Sequence, residues 1–385
     1  MKIALFWQVS YGGIRTTQVN LIKNLLKNDN KHKYLLINLK ENLTEGIDDE
    51  KYSILNFQLP LDFRYIMKKN SIKLIFNDEY NLLKGNFRLI RSKIGEEIIL
   101  PQKIQDKNID IFHGLGHYIP TYNKGKYKSI MTVYDVCPFL LPETYSKDVA
   151  DYYNYIFPKR LEKADKIITI SKNTKKDLVN YFNIDKDKIE VIYLGVEKKY
   201  SYSNKIKKNK YILSVGTLQP RKNFVNLIKA FSLIKNNFEH KLVIVGKKGS
   251  DYINILEEIK KHNLENRVFI QGYISDKQLI EIYKSADLFV FPSLYEGFGL
   301  PPLEAMACGI PVIASNTSSL PEVIGDAGIM IDPKNVNDIA DAIKKILNSE
   351  KLKNDLILKG LERTKMFEWK NTSNKILKIY EDISN

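Results

Sequence analysis

The chain is 385 residues long, more than one ordinary hydrophobic core holds and suited to two domains of roughly 150–200 residues each. Its 44% hydrophobic and 27% charged content sits near the average for globular proteins and excludes a disordered or fibrous class. The net charge of +15 is spread along the chain, with 33 basic against 24 acidic residues in the first 200 positions, so no basic arm marks a nucleic-acid binder, even with 23 Tyr present for base stacking.

The first element is the apolar run Ile3–Trp7, which stops at Gln8 and Ser10. It is far shorter than the core of a secretory signal and reads as a β-strand. No later window offers ~18 apolar residues without charge, so a soluble protein with no membrane-spanning helix is expected. After this strand comes Tyr11-Gly12-Gly13-Ile14, leading into a helix patterned by Val19, Leu21, Ile22, Leu25 and Leu26. Paired glycines at such a turn let a ligand approach the backbone and turn helix amides toward a phosphate; a tight turn without ligand is the plainer explanation. Neither the full dinucleotide fingerprint nor the Walker phosphate loop is present.

Further strands are expected at Tyr34–Leu39, Ile109–His113, Ser129–Tyr134 and Lys166–Ile170, alternating with helical stretches as in βαβ units. Between them, Leu61–Ile94 holds eight Lys/Arg against three Asp/Glu, interleaved with aromatic and aliphatic residues. It could lie on an anionic bilayer, or be a solvated helical face over a normal core. Only Cys137 and Cys308 occur, far apart, which argues against a disulfide framework or a cysteine metal cluster and for a reducing cytoplasm.

The charged stretch Asp185–Asn209, broken by Gly195, sets the domain boundary near 195–208. We expect a first domain at 1–200, a second at 201–365 and a closing helix at 366–385. The second series of strands is Tyr211–Val215, Lys241–Val245, Arg267–Ile270, Leu288–Phe291, Pro311–Ala314 and Gly328–Ile331. Two such sets imply two doubly wound α/β domains, whose ligands bind outside the carboxyl ends of the strands.

The loops there carry the chemistry. In Gly216-Thr217-Leu218-Gln219-Pro220-Arg221-Lys222-Asn223, two cations stand where a strand enters a helix, and the helix dipole disfavours positive charge at that end. A bound diphosphate would remove the conflict, Arg221 supplying a planar fork and Lys222 a point charge; a solvent-exposed basic turn is the alternative. In Pro292–Ala307, Gly297 and Gly299 keep the loop open and prolines at the helix start leave first-turn amides facing outward. Glu296 then lies in the loop and Glu304 in the first helical turns. One carboxylate can accept hydrogen bonds from ribose hydroxyls and the other can hold hydroxyls of a hexose. Glu304 as an acid complementing the helix dipole is the plainer account of that residue.

With these motifs in hand, the stretch Tyr211–Pro333 resembles the donor-binding half of the retaining family 4 glycosyltransferases, which have the GT-B fold. The family's paired glutamates, seven residues between them, match Glu296 and Glu304, and its phosphate-binding Arg-Lys matches Arg221 and Lys222. Gly309–Ser315 and Leu320–Val323 follow the family's usual run, and Gly12-Gly13 corresponds to its glycine loop. The resemblance implies two Rossmann-like domains facing across a cleft, with a closing helix through Tyr380 crossing back to the first. It implies that Gly12, Gly13, Tyr273, Ile274, Gly297, Phe298, Gly299, Leu300 and Glu304 contact substrate, with Tyr273 and Ile274 beside the nucleobase. It also implies transfer through an oxocarbenium-like, same-face displacement in which Arg221 and Lys222 stabilise the departing diphosphate. Neither a metal nor a cofactor is needed on this reading.

One departure stands out. Members similar to mannosyltransferases carry His-Asp after the fourth strand, where this chain has Tyr134-Asp135. Asp135 is expected to touch acceptor or sugar, and His113 is a candidate substitute for the absent histidine, set against a strand-end histidine with no ligand. The implied activity is transfer of a hexose, mannose favoured, from GDP-mannose to a glycan or lipid-linked acceptor in surface-polysaccharide synthesis; the expected location is the cytoplasm, with peripheral contact at the inner face of the cell membrane only on the bilayer reading of 61–94. A sugar-nucleotide epimerase of GT-B form and a silent glycan-binding member are the rivals.

Overall fold

The computed structural model describes residues 1–7, 13–37, 49–55, 95–121, 126–145, 147–203 and 209–384. Gly12, named above as a phosphate-loop residue, and the basic segment 61–94 lie outside the described residues. The chain divides into two compact units: Met1–Ile170, Lys175–Ile192 and Ser373–Asn385 make the first, and Ser171–Thr174 with Tyr193–Thr372 make the second.

The first unit is built on a parallel sheet of β1 (Lys2–Phe6), β2 (Lys33–Ile37), β3 (Tyr52–Leu55), β4 (Ile111–Gly114), β5 (Lys128–Val133), β6 (Lys166–Thr169) and β7 (Ile189–Val191). Their order is β3-β2-β1-β4-β5-β6-β7. Ile3 to Phe6 are buried without alternation, as a central parallel strand covered on both faces requires. The helices are α1 (Gly13–Asn28), α2 (Leu100–Gln105), α3 (Cys137–Leu140), α4 (Lys147–Lys163) and α5 (Lys172–Phe182). Strand order reverses between β1 and β4, and ligand sites in open α/β sheets form at such a switch point. Among the described residues, the start of the loop after β4 belongs to it.

The second unit repeats the plan with β8 (Tyr211–Val215), β9 (Lys241–Val245), β10 (Val268–Gln271), β11 (Leu288–Phe291), β12 (Val312–Ser315) and β13 (Gly328–Ile331), in the order β10-β9-β8-β11-β12-β13. Its helices are α6 (Phe224–Ile234), α7 (Tyr252–Lys261), α8 (Asp276–Ser285), α9 (Leu300–Ala307), α10 (Leu320–Ile324), α11 (Val336–Leu347) and α12 (Glu350–Thr364). Ile212, Leu242, Ile244, Leu288 and Val290 of the sheet pack with Leu227, Ile228 and Phe231 of α6 and Ile339, Ile343 and Ile346 of α11 in one core. Here the switch point falls between β8 and β11, the strands that precede the Arg-Lys turn and the Glu-Gly loop.

The last helix, α13 (Trp369–Ser384), starts in the second unit and passes to the first at Ser373. No helix among the described residues is long and apolar enough to cross a membrane.

Candidate functional site

The turn after β8 is built by close backbone approach. A Cβ on Gly246, at the end of β9, would meet the Gly216 carbonyl oxygen at 1.8 Å, so only glycine lets the two strand ends come together. A short 3-10 turn, Pro220–Lys222, follows, and Asn223 then takes the left-handed conformation at φ 60, which Asn tolerates better than other side chains. The Asn223 side-chain amide donates to the carbonyls of Pro292 and Pro333 at 3.0 and 2.7 Å. Leu294 N donates to Arg221 O at 2.8 Å. These bonds fasten the Arg-Lys turn to the loop after β11.

The result is a three-residue charge cluster. Lys222 Nζ lies 2.5 Å from Glu296 Oε1 and Arg221 Nη1 lies 3.1 Å from the same oxygen. Arg221 also donates to Tyr295 O at 3.2 Å, and the Lys222 ammonium stands 4.8 Å from the centre of the Phe291 ring. Burial by itself would raise the Glu296 pKa; the adjacent Lys222 and Arg221 charges outweigh it and hold the carboxyl at about 2. Glu296 thus supplies part of the negative charge that the sequence argument assigned to a ligand alone. One positive charge is left over, ahead of α6.

The loop that carries Glu296 is clamped by residues after β12. Ser318 Oγ accepts from Glu296 N at 2.9 Å, and Ser319 Oγ donates to Glu296 O and Phe298 O at 2.9 and 2.7 Å. Thr317 Oγ1 donates to Leu294 O at 3.1 Å. Gly299 sits at φ +116, and a Cβ there would meet Leu320 Cδ2 at 2.7 Å. Two details depart from expectation. Pro301 and Pro302 carry no N–H, so the amides this end of α9 can offer belong to Leu300 and the glycine loop before it. The Phe298 side chain is turned into the core, against Tyr193 and Phe367 at ring distances of 6.0 and 5.8 Å, so the segment Gly297–Leu300 can meet a ligand through backbone and not through that ring.

Glu304, half-buried on α9, meets different neighbours. Burial raises its pKa to about 7, with the Tyr283 hydroxyl opposing, the Glu197 charge adding, and Lys199 and Tyr200 opposing. The Tyr200 and Tyr283 rings meet edge-on at 5.6 Å. Glu296 is therefore a fixed anion and Glu304 a carboxyl that titrates near neutrality. At the end of β10, Tyr273 is 74% exposed, with the Lys247 ammonium 4.8 Å from its ring centre, and Ile274 beside it is half-buried.

In the first unit, Gly13 is the first residue of α1. Asp135, half-buried, accepts from Cys137 N at 2.9 Å, while Tyr134 turns inward and its hydroxyl donates to Leu115 O at 2.7 Å. His113 does not stand in for a sugar-contacting histidine: it is fully buried, and the hydroxyls of Tyr380 and Thr132 hydrogen-bond its two nitrogens at 2.6 and 2.8 Å. Burial lowers its pKa to about 3. Sequence reasoning passed over Asn223, Thr317, Ser318, Ser319 and the tyrosines beside Glu304. Asn223 alone had a local signal, a left-handed-tolerant residue directly ahead of a helix.

Comparison with known proteins matches residues 11–200 to Glycosyltransferase Family 4 and residues 196–363 to Glycosyl transferases group 1. The chain is 31% identical to the O-antigen chain mannosyltransferase B of Escherichia coli over 291 residues, 72% of this chain and 76% of that one. It is 33% identical over 265 residues to the serotype-specific mannosyltransferase WbdA of the same species, covering 64% of this chain and 32% of that longer protein. Among solved structures, Anabaena HepE in complex with UDP-glucose superposes with a TM-score of 0.71 at 16% identity, over 99% of this chain and 100% of that one. With its two parallel-sheet units and both domain matches, the chain belongs to the GT-B glycosyltransferases that join a family 4 domain to a group 1 domain.

Proposed function

We propose that this glycosyltransferase is a retaining enzyme that moves a hexose, mannose favoured, from a nucleotide-diphosphate sugar to a glycan or lipid-linked acceptor in surface-polysaccharide synthesis. The observation that carries the reading is the Arg221–Lys222–Glu296 cluster at the switch point of the second sheet. Its excess positive charge is bonded in place before any substrate arrives, so no reorganisation is needed when charge develops on a departing diphosphate. Arg221 and Lys222 would hold that diphosphate, and in this role they replace a metal ion. Glu304, once ionised, would accept hydrogen bonds from donor hydroxyls, and Tyr273 with Ile274 would border the base. In a same-face displacement the leaving phosphate takes the proton of the acceptor hydroxyl as the new glycosidic bond forms.

GDP-mannose is the favoured donor because relatives that are 31% and 33% identical over 291 and 265 residues carry the names of mannosyltransferases. The test is to incubate the enzyme with GDP-mannose, UDP-glucose, UDP-N-acetylhexosamines and dTDP-rhamnose, with and without a panel of mannosylated lipid-linked acceptors. Product is followed by mass and the new anomeric centre by NMR. Acceptor-dependent release of GDP with an α-configured product is expected. Donor turnover that ignores the acceptor would favour an epimerase, and an inverted anomeric centre would remove the retaining mechanism.

A further inference from the structure

The loop after β4, Leu115–Thr121, ties together several parts of the first unit. Gly114 opens it, and a Cβ there would meet the Tyr118 carbonyl oxygen at 1.6 Å. Gln18 of α1 and the Tyr134 hydroxyl both donate to Leu115 O, at 2.8 and 2.7 Å. At its centre stands His117, buried and in the left-handed region at φ 49, a conformation that persists in a non-glycine residue only where its surroundings impose it. His117 N donates to Thr132 O at 2.9 Å, and Arg160 Nη1 donates to His117 O at 3.3 Å. Its ring lies 5.8 and 5.6 Å from the rings of Tyr134 and Phe157.

Among the described residues the ring makes one directed bond: Nε2 accepts from Tyr134 N at 2.8 Å. A nitrogen that accepts is unprotonated, so in the neutral ring the proton is on Nδ1, and burial favours that neutral form, with the Asp135 charge opposing it and the Arg160 charge assisting. The imidazole is thus bonded to the Val133–Tyr134 peptide, one residue ahead of Asp135, and feels the Asp135 charge. Tyr134 itself faces inward, so the side chain at the place of the family's usual histidine offers its hydroxyl to the protein and not to a sugar.

We propose that His117 is a positioning residue for sugar transfer: by accepting the Tyr134 amide it fixes the turn that carries Asp135 and aims that carboxylate at the substrate. The inference rests on the proposed transferase reading and on Asp135 as a substrate-facing group. The test compares His117→Phe, which keeps a ring but loses the acceptor, with His117→Gln, which restores an acceptor. Neither replacement is glycine or Asn, so both meet the left-handed backbone at φ 49 with an ordinary side chain, and their difference reports chiefly the bond.

The expected result is a kcat lowered roughly tenfold to a hundredfold in His117→Phe, an unchanged donor KM, and recovery of most of the loss in His117→Gln. On an Asp135→Asn background neither change should lower kcat further. Should His117→Phe fail to fold, His117→Asn takes its place, since the left-handed backbone accepts Asn and its shorter side chain does not span to the Tyr134 amide. Equal losses in the acceptor-bearing and acceptor-lacking variants, or losses that add to that of Asp135→Asn, overturn the positioning role and leave the transferase reading standing. A wild-type chain that transfers no sugar from any nucleotide sugar overturns both.

Discussion

Arg221 and Lys222 share a partner, yet they differ in how much of the fold depends on them. The Lys222 side chain is 9% exposed and that of Arg221 22%. On the proposed role, truncating either removes one cation from the leaving-group side, and the loss of one such electrostatic contact is expected to lower kcat by about 10²–10³. Lys222→Ala, however, also strips a buried carboxylate of its nearer counter-charge, which costs about 3–5 kcal/mol; Arg221→Ala should cost less. Paired urea melts and single-turnover assays check both, and wild-type turnover in the two variants would remove the assignment. Glu304 makes a second prediction, on pH. Its folded pKa of about 7 lies above the unfolded carboxyl value, so its contribution to stability is fully present below the unfolded value and is lost as pH rises toward 7. On the proposed role binding runs the other way, because an ionised carboxylate accepts from donor hydroxyls with both oxygens and more strongly than the protonated acid. Donor Kd should weaken about fivefold between pH 7 and pH 6 if only the ionised form binds. Glu304→Gln should flatten that dependence, and calorimetric titration at the two pH values reads it directly. Glu296, held at about 2, contributes nothing to the change.

At the scale of elements, the site is an arrangement of loop ends whose backbones are pinned by few side chains. Asn223 is the clearest case: one side-chain amide bonds two carbonyls on different loops while its own backbone is left-handed. Asn223→Ala should leave both carbonyls without that donor and place at φ 60 a residue that tolerates the left-handed region less well than Asn, for a loss of about 2–4 kcal/mol. Asn223→Gly removes the same bonds without the backbone penalty and should be milder by about 1 kcal/mol. Chemical denaturation of the three proteins settles the order; an alanine variant as stable as the glycine one would show that the left-handed backbone is not enforced. This bond pattern also explains why part of the site was invisible in the sequence. Arg221, Lys222, Glu296 and Glu304 are legible because charged residues at strand-to-helix turns need an explanation. Ser318 and Ser319 are ordinary loop residues until β12 is placed beside β11, and only then do their hydroxyls reach the Glu296 backbone. His113 failed for the opposite reason: a strand-end histidine is the same in sequence whether it faces a ligand or, as here, Tyr380 across 267 residues of chain.

Across the whole molecule, the central strands were legible because parallel strands buried on both faces read as unbroken apolar runs. Two edge strands were not. In β3 Ser53 and Ile54 are exposed, and β7 is three residues long with Glu190 exposed, so neither rises above a loop in composition. The parallel order puts a switch point in each sheet, with a loop cluster beside it at which a ligand can bind. If the nucleotide is held by Arg221, Lys222 and the loops at the β8–β11 switch, it stabilises the second unit by mass action. Saturation at a hundred times Kd is worth about 2.7 kcal/mol. In hydrogen exchange with GDP at that ratio, the gain in protection should therefore concentrate in 216–223 and 292–304 and spread through Tyr193–Thr372. A gain seen in Met1–Ile170 and absent from those two loops would mean that the charge cluster serves the fold and the nucleotide binds elsewhere.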